Sequence, residues 1–171
     1  MKKLFLSAFF SVMLLGAGCA STQQARSIQS SGVVDPAQVK VGDEVSGLKV
    51  TKVSGVPGIQ LPYSYGDIQN IHIEFSGPVT VKGDYDYSTN EFFGQDLTTF
   101  RVSDPQEILK LPHLKQQEPV VFWFSNPDKA NKAFGPAYGN GSATILIEDY
   151  EINYAGAEVM NSAKLVKVIS K

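Results

Sequence analysis

The feature that most restricts this chain is a two-residue hydrophobic rhythm that recurs through its middle and end. Ile71, Ile73 and Phe75 alternate with His72 and Glu74. After Gly77-Pro78 the rhythm returns, with Val79, Val81, Gly83, Tyr85 and Tyr87 on one side and Thr80, Lys82, Asp84 and Asp86 on the other. Successive side chains of a strand point to opposite faces, so the rhythm predicts strands with one buried and one wet face. Gly83 in mid-strand predicts a bulge or a bend.

Other segments extend the β pattern. Leu48, Val50 and Val53 mark a first strand, Leu97 to Val102 a further one, and Ala163 to Ile169 the last. Val120-Val121-Phe122-Trp123-Phe124 is apolar on both faces and reads as a central strand. From Ala143 to Tyr154 the apolar set changes phase, from Ala143, Ile145 and Ile147 to Tyr150, Ile152 and Tyr154. One strand carries both sets only if it bends or bulges near Glu148-Asp149. Ser54 to Tyr65, rich in Gly and Pro, predicts a long loop. Asp35-Pro36 predicts a single turn. Asp104-Pro105 and Asn126-Pro127 predict short capped helices ending before Pro112 and at Gly135. The expectation is a mainly β domain: a small antiparallel barrel or curled sandwich, specifically an OB-like barrel, with two or three short helices in its connections.

The N-terminus reads differently. Lys2 and Lys3 precede an apolar run from Leu4 to Leu15, followed by Gly16-Ala17-Gly18-Cys19-Ala20. As a helix the run spans roughly 18 Å at 1.5 Å per residue, short of a bilayer core of about 30 Å. Residues 1–18 therefore read as an export signal rather than a membrane span. Gly16-Ala17-Gly18-Cys19 resembles the lipobox of bacterial lipoproteins, in which small residues precede a cysteine that is acylated and becomes the first residue. Gly16 stands where an apolar residue is usual, and an ordinary cut after Ala20 also fits the small residues. The resemblance implies a diacylglyceryl thioether on Cys19 and an acyl chain such as palmitate on its freed amine. At about 0.8 kcal/mol per buried CH₂, two or three chains anchor a protein stably. Ala20, where an Asp would imply inner-membrane retention, implies sorting in a Gram-negative cell to the periplasmic face of the outer membrane.

Cys19 is the only cysteine. An internal disulfide and a four-cysteine zinc site are thereby excluded, and the exported domain must be held by its core alone. Residues 19–34, polar and small through most of their length, read as a lipid-anchored tether, and residues 35–171 as a single β domain. Loss of Lys2 and Lys3 with the leader leaves 13 basic against 17 acidic residues, taking the formal charge from −2 to −4. A mildly acidic domain without a basic cluster argues against nucleic-acid binding, which requires phosphate neutralisation.

Catalytic chemistry has little to work with. His72 and His113 are the only histidines and read as surface or structural residues, and neither an HExxH nor a GxSxG motif occurs. No metal or cofactor is expected. The stretch from Asp84 to Glu91 begins like a calcium loop, but Thr89 stands where an EF-hand requires Gly and Glu91 comes too early. Glu148, Asp149 and Glu151 form a second acidic spot. Tyr85 and Tyr87 with Asp84 and Asp86, joined by Trp123, would suit stacking on sugar rings or bases. The plainer possibility is that these aromatics fill the core, since strands favour them. Tyr63 and Tyr65, in the Gly/Pro-rich loop, form a second candidate contact surface. The expectation is a non-catalytic envelope lipoprotein that binds a protein or cell-wall component. The alternative is a small-ligand or carbohydrate-binding module using a Tyr/Asp strand face.

Overall fold

The structure, a computed structural model, describes residues 27–28, 32–57, 68–90, 95–115, 117–135, 138–155 and 158–171. In chain order the strands are β1 (Ser27–Ile28), β2 (Val33–Val34), β3 (Glu44–Val45), β4 (Leu48–Pro57), β5 (Ile68–Ser76), β6 (Val79–Asn90), β7 (Gln95–Val102), β8 (His113–Leu114), β9 (Val120–Phe124), β10 (Asn140–Ala155), β11 (Glu158–Val159) and β12 (Asn161–Ser170). Helix α1 (Pro105–Ile108) follows β7, and α2 (Pro127–Phe134) follows β9. None of the described helices is long and apolar enough to cross a membrane.

Five strands close into a ring in the order β6, β7, β9, β12, β10 and back to β6. Counted along the chain this is 1-2-3-5-4-1, with the third and fifth strands parallel and a helix between the third and fourth. That is the strand order of an OB barrel. The sequence reading of a small antiparallel barrel therefore holds for the ring except at the β9–β12 pair, which is parallel. The β9–β12 pair is parallel because the connection between them crosses the barrel through α2 and β10 rather than turning back as a hairpin.

Strand β10 joins the barrel to a second sheet. Its residues from Asn140 to Ile147 pair with β6, and those from Tyr150 to Ala155 pair with β5. The switch falls at Glu148-Asp149, where the register against β12 slips and Asp149 takes a φ of +50°. This is the bend that the change of apolar phase requires, and it lets Ile145, Ile147, Tyr150 and Ile152 all be fully buried. Beyond β5, the sheet continues through β4, β3 and β1.

The ring is filled by its own side chains: Val81, Phe100, Phe122, Ile145, Ile147 and Leu165 are each no more than 1% exposed. Helix α2 covers one end, inserting Phe134 against Tyr85, Phe124 and Phe100 at centroid distances of 4.6, 5.6 and 6.4 Å. Gly83 marks a close approach: a Cβ there would lie 2.4 Å from the carbonyl oxygen of Arg101. No larger residue fits at that point.

Three expectations change. Strand β4 runs on to Pro57, so the loop expected from Ser54 begins later, and the rest of that loop lies outside the described residues. The tether expected through residue 34 ends earlier, since Val33–Val34 pair with His113–Leu114 and Val34 is buried. At α1 the cap is as expected, with Asp104 Oδ1 accepting from the N–H groups of Gln106 and Glu107. At α2 it is not: Asn126 makes no side-chain cap. Its amide turns to β12, where Nδ2–H donates to the carbonyl of Leu165 at 3.0 Å and Oδ1 accepts the Leu165 N–H at 2.9 Å. The side chain thus continues the β9–β12 ladder past the end of β9.

Replacing Asn126 by Ala leaves both backbone groups of fully buried Leu165 without partners. We expect a loss of about 2–4 kcal/mol in denaturant unfolding, well above the ~1 kcal/mol typical of a lost helix cap. A loss no larger than that of Asp104→Ala in the same assay would refute the ladder role.

Candidate functional site

The registers decide which candidate residues share a surface. Asp84 lies opposite Arg101, which lies opposite Val121; Asp86 lies opposite Thr99, which lies opposite Trp123. Phe122 and Phe124 are buried, so Trp123 between them faces outward and is half-buried. Asp84, Asp86 and Trp123 thus belong to the outer face of β6, β7 and β9. Tyr85 and Tyr87 point the other way. The Tyr85 ring lies against Gly141, where a Cβ would come within 2.9 Å of its hydroxyl, and the Lys171 ammonium sits 5.7 Å from its centroid. Tyr85 and Tyr87 therefore do not form one platform with Asp84, Asp86 and Trp123. Tyr63, Tyr65 and Cys19 lie outside the described residues.

The carboxylates of this outer face are locally engaged. Asp84 Oδ1 accepts from the Ser142 hydroxyl at 2.6 Å, and Asp86 Oδ2 from the Ser88 hydroxyl at 3.2 Å. Among the described residues no three His, Cys, Asp or Glu side chains are grouped to hold a metal ion. Arg101 is exposed, and no described residue forms an ion pair with its guanidinium. This leaves one cation beside the aromatic Trp123 and the half-exposed apolar Val121.

The densest polar network lies further round the same outer surface. From Trp123 the register passes to Ser162, Glu151, Glu74 and Lys52, across β12, β10, β5 and β4. At its centre the His72 ring contacts Asn153 Oδ1 through Nδ1 at 2.6 Å and Glu74 Oε1 through Nε2 at 2.8 Å. The Lys52 ammonium shares Glu74 Oε1 at 2.6 Å, and the Ser162 hydroxyl donates to Glu151 Oε2 at 3.2 Å. An imidazole donates from both nitrogens only when protonated, so facing two acceptors stabilises the imidazolium. Partial burial alone would lower the His72 pKa. The hydrogen bonds to Asn153 and Glu74 and the field of Glu151 outweigh burial and Lys52, holding the pKa above its ordinary value. Hydrogen bonds from Lys52 and His72 hold the Glu74 carboxyl below its own.

Sequence reasoning placed His72 and Glu74 on the polar side of one strand but missed the network. The alternation signals that the two share a face. Asn153, Lys52, Glu151 and Ser162 come from three other strands, and only the register reveals them as neighbours.

His113 has a different role. It is 1% exposed, its Nδ1–H donates to the Leu111 carbonyl at 2.9 Å, and its backbone N–H donates to Gly32. Gly32 lies so close that a Cβ there would meet the Leu111 carbonyl and the imidazole ring. His113 thus clamps the start of the domain. Its Nε2 lies 3.8 Å from the Glu118 carboxylate, too far for a hydrogen bond.

No described serine is paired with a histidine base: Ser162 donates to Glu151, and both nitrogens of His72 are occupied. The outer surface presents charged groups and an aromatic ring in an order set by the strand registers. Comparison of the chain with protein-family models, with curated proteins and with solved structures found no match.

The network makes stability depend on pH in a defined direction. With its folded pKa raised above 6.5, His72 contributes stability that is present below pH 6.5 and lost as pH rises through the folded value. Glu74 contributes above its ordinary 4.5, a contribution lost as pH falls through its lowered value. Both act together between pH 4.5 and 6.5. In NMR titration the His72 midpoint is expected above 6.5. His72→Gln should abolish the part of the stability gain between pH 8 and pH 6 that depends on this ring, about neutral pH being where histidine titrates. A midpoint below the ordinary value would overturn the assignment.

Proposed function

We propose that this chain is a lipid-anchored protein of the bacterial envelope, held by Cys19. In a Gram-negative cell it would stand on the periplasmic face of the outer membrane. Its β domain is non-catalytic and holds another protein or an envelope component against its outer surface. The observation that carries this reading is the filled barrel. Val81, Phe100, Phe122, Ile145, Ile147 and Leu165 occupy the interior, while the charged groups and Trp123 stand on the outside. A ligand therefore meets a broad surface rather than an enclosed pocket, and broad surfaces suit macromolecular partners better than small molecules. The lipobox-like stretch Gly16-Ala17-Gly18-Cys19 and the absence of a second cysteine support the anchor.

A glycan-binding reading draws on one specific feature. Arg101, Trp123, Asp84 and Asp86 share the outer face of β6, β7 and β9, where a sugar ring could stack on Trp123 and bond the charged groups.

Two measurements test these readings. Cys19→Ser is expected to release the mature protein from the membrane fraction and abolish incorporation of labelled palmitate, and retention of both overturns the anchor. Trp123 is the single tryptophan, so its fluorescence reports directly on the β6–β7–β9 face. The protein-partner reading predicts no change on titration with soluble cell-wall glycan fragments. Saturable quenching that Arg101→Ala weakens would favour the glycan module instead.

A further inference from the structure

In the sheet beyond the barrel, β5 lies between β4 and β10, whereas among the described residues β4 has a full-length partner only in β5. On the side away from β5, β3 pairs only with Leu48 and Lys49. The bonds from Gly42 N–H to the Val50 carbonyl and from Val50 N–H to the Asp43 carbonyl extend that contact by one residue. From Thr51 to Gly55 no described residue bonds this side of the strand.

The direction of the bare groups follows from two side-chain contacts. The Thr51 hydroxyl donates to the Glu74 carbonyl at 3.1 Å and the Ser54 hydroxyl to the His72 carbonyl at 3.5 Å, so both carbonyls face β4. Lys52 and Ser54, which stand opposite Glu74 and His72, therefore turn their own backbone groups toward β5. The alternation leaves the N–H and C=O of Val53 and Gly55 pointing outward. Val50 also points outward, toward Asp43, and the register slip between Val50 and Lys52 accounts for the change of parity. An unpaired strand edge of this kind is a template for an added strand.

We propose that the β4 edge from Thr51 to Gly55 receives an extended segment of another protein in which acidic and apolar residues alternate. This deepens the protein-partner reading and rests on it. Charge selects the acidic side. Exposed Lys52, whose ammonium is shared with Glu74, stands with Ser54 on the outer face. Exposed Lys49, opposite Glu44 of β3, stands just before the bare stretch, so a carboxylate of an added strand would lie beside Lys52 and close to Lys49. The apolar side follows from Val53, which is half-buried and packs against the core, leaving an apolar shoulder for the alternate residues of the incoming strand. A second copy of this chain fits less well. It would bring its own lysines rather than carboxylates. In addition, an edge of five residues is roughly 17 Å long at 3.4 Å per residue, too little contact for a stable dimer, which needs about 1,000 Å² or more.

The test uses the mature chain in detergent and a fluorescein-labelled peptide of alternating Val and Glu, with an alternating Val and Lys peptide as control. Binding is followed by fluorescence anisotropy, and backbone exchange by NMR. The Val/Glu peptide is expected to bind, to slow amide exchange at Val53 and Gly55, and to leave exchange on the barrel strands unchanged. Val53→Pro, which removes one outward donor and blocks the edge, should weaken binding by about tenfold or more. Lys49→Glu leaves the ladder intact, so it tests the charge preference even if the proline variant folds poorly. It should weaken the Val/Glu peptide and strengthen the Val/Lys peptide. Equal binding of both peptides, protection elsewhere than Val53 and Gly55, or no binding of either peptide overturns the edge assignment. None of these results bears on the Cys19 anchor or on capture by another surface, so failure of this inference is distinguishable from failure of the function proposed above.

Discussion

The backbone hydrogen bonds of β10 hold two sheets in one molecule. The strand pairs with β6 along its first half, with β5 along its second, and with β12 and β11 on its other side. Such sharing is possible only because the chain slips register at Glu148-Asp149, with Asp149 at a φ of +50°. Without the slip, one of the two apolar triplets of β10 would face solvent. Tyr150, the first residue after it, packs on Phe75 of the second sheet and Phe122 of the barrel at centroid distances of 6.1 and 6.0 Å. The core is thus continuous across the junction.

Where the backbone runs out of strand partners, polar side chains take their place. Asn126 presents an amide to both backbone groups of Leu165, continuing the parallel pair that closes the ring. Glu107 in α1 accepts the Lys82 N–H at 2.8 Å, just before β7 begins to pair with β6 at Asp84. A small barrel bends its strands so strongly that neighbours diverge near its ends. Buried backbone groups there still require partners. The edge of β4 differs because it is exposed, and water can satisfy what no strand does.

The candidate residues were legible to different degrees. Alternation alone separated Tyr85 and Tyr87 from Asp84 and Asp86, and the structure places the tyrosines inward and the aspartates outward. That Trp123 joins the aspartates rather than the tyrosines depends on the register of β7 against β6 and β9, which local sequence does not encode. The His72 network was harder still. Its directly bonded members lie as many as 81 positions apart along the chain, the separation of His72 and Asn153. Nothing in the spacing of an Asn and a His so far apart signals that they will meet.

Much of the secondary structure was written in single segments. The strands, the Asp104 cap and the bend near Glu148-Asp149 each follow from apolar period or local hydrogen bonding, which act over a few residues. By itself the sequence determined that this is a β protein with one long, bent strand, a single cysteine near its start and no disulfide to help it fold. Tertiary structure alone decided the parallel closure of β9 on β12, the diversion of Asn126 from helix cap to ladder, and the bare edge of β4. These depend on which strands become neighbours. That choice is made by burial of the whole core, a sum over residues distant in the chain, and no local pattern carries it.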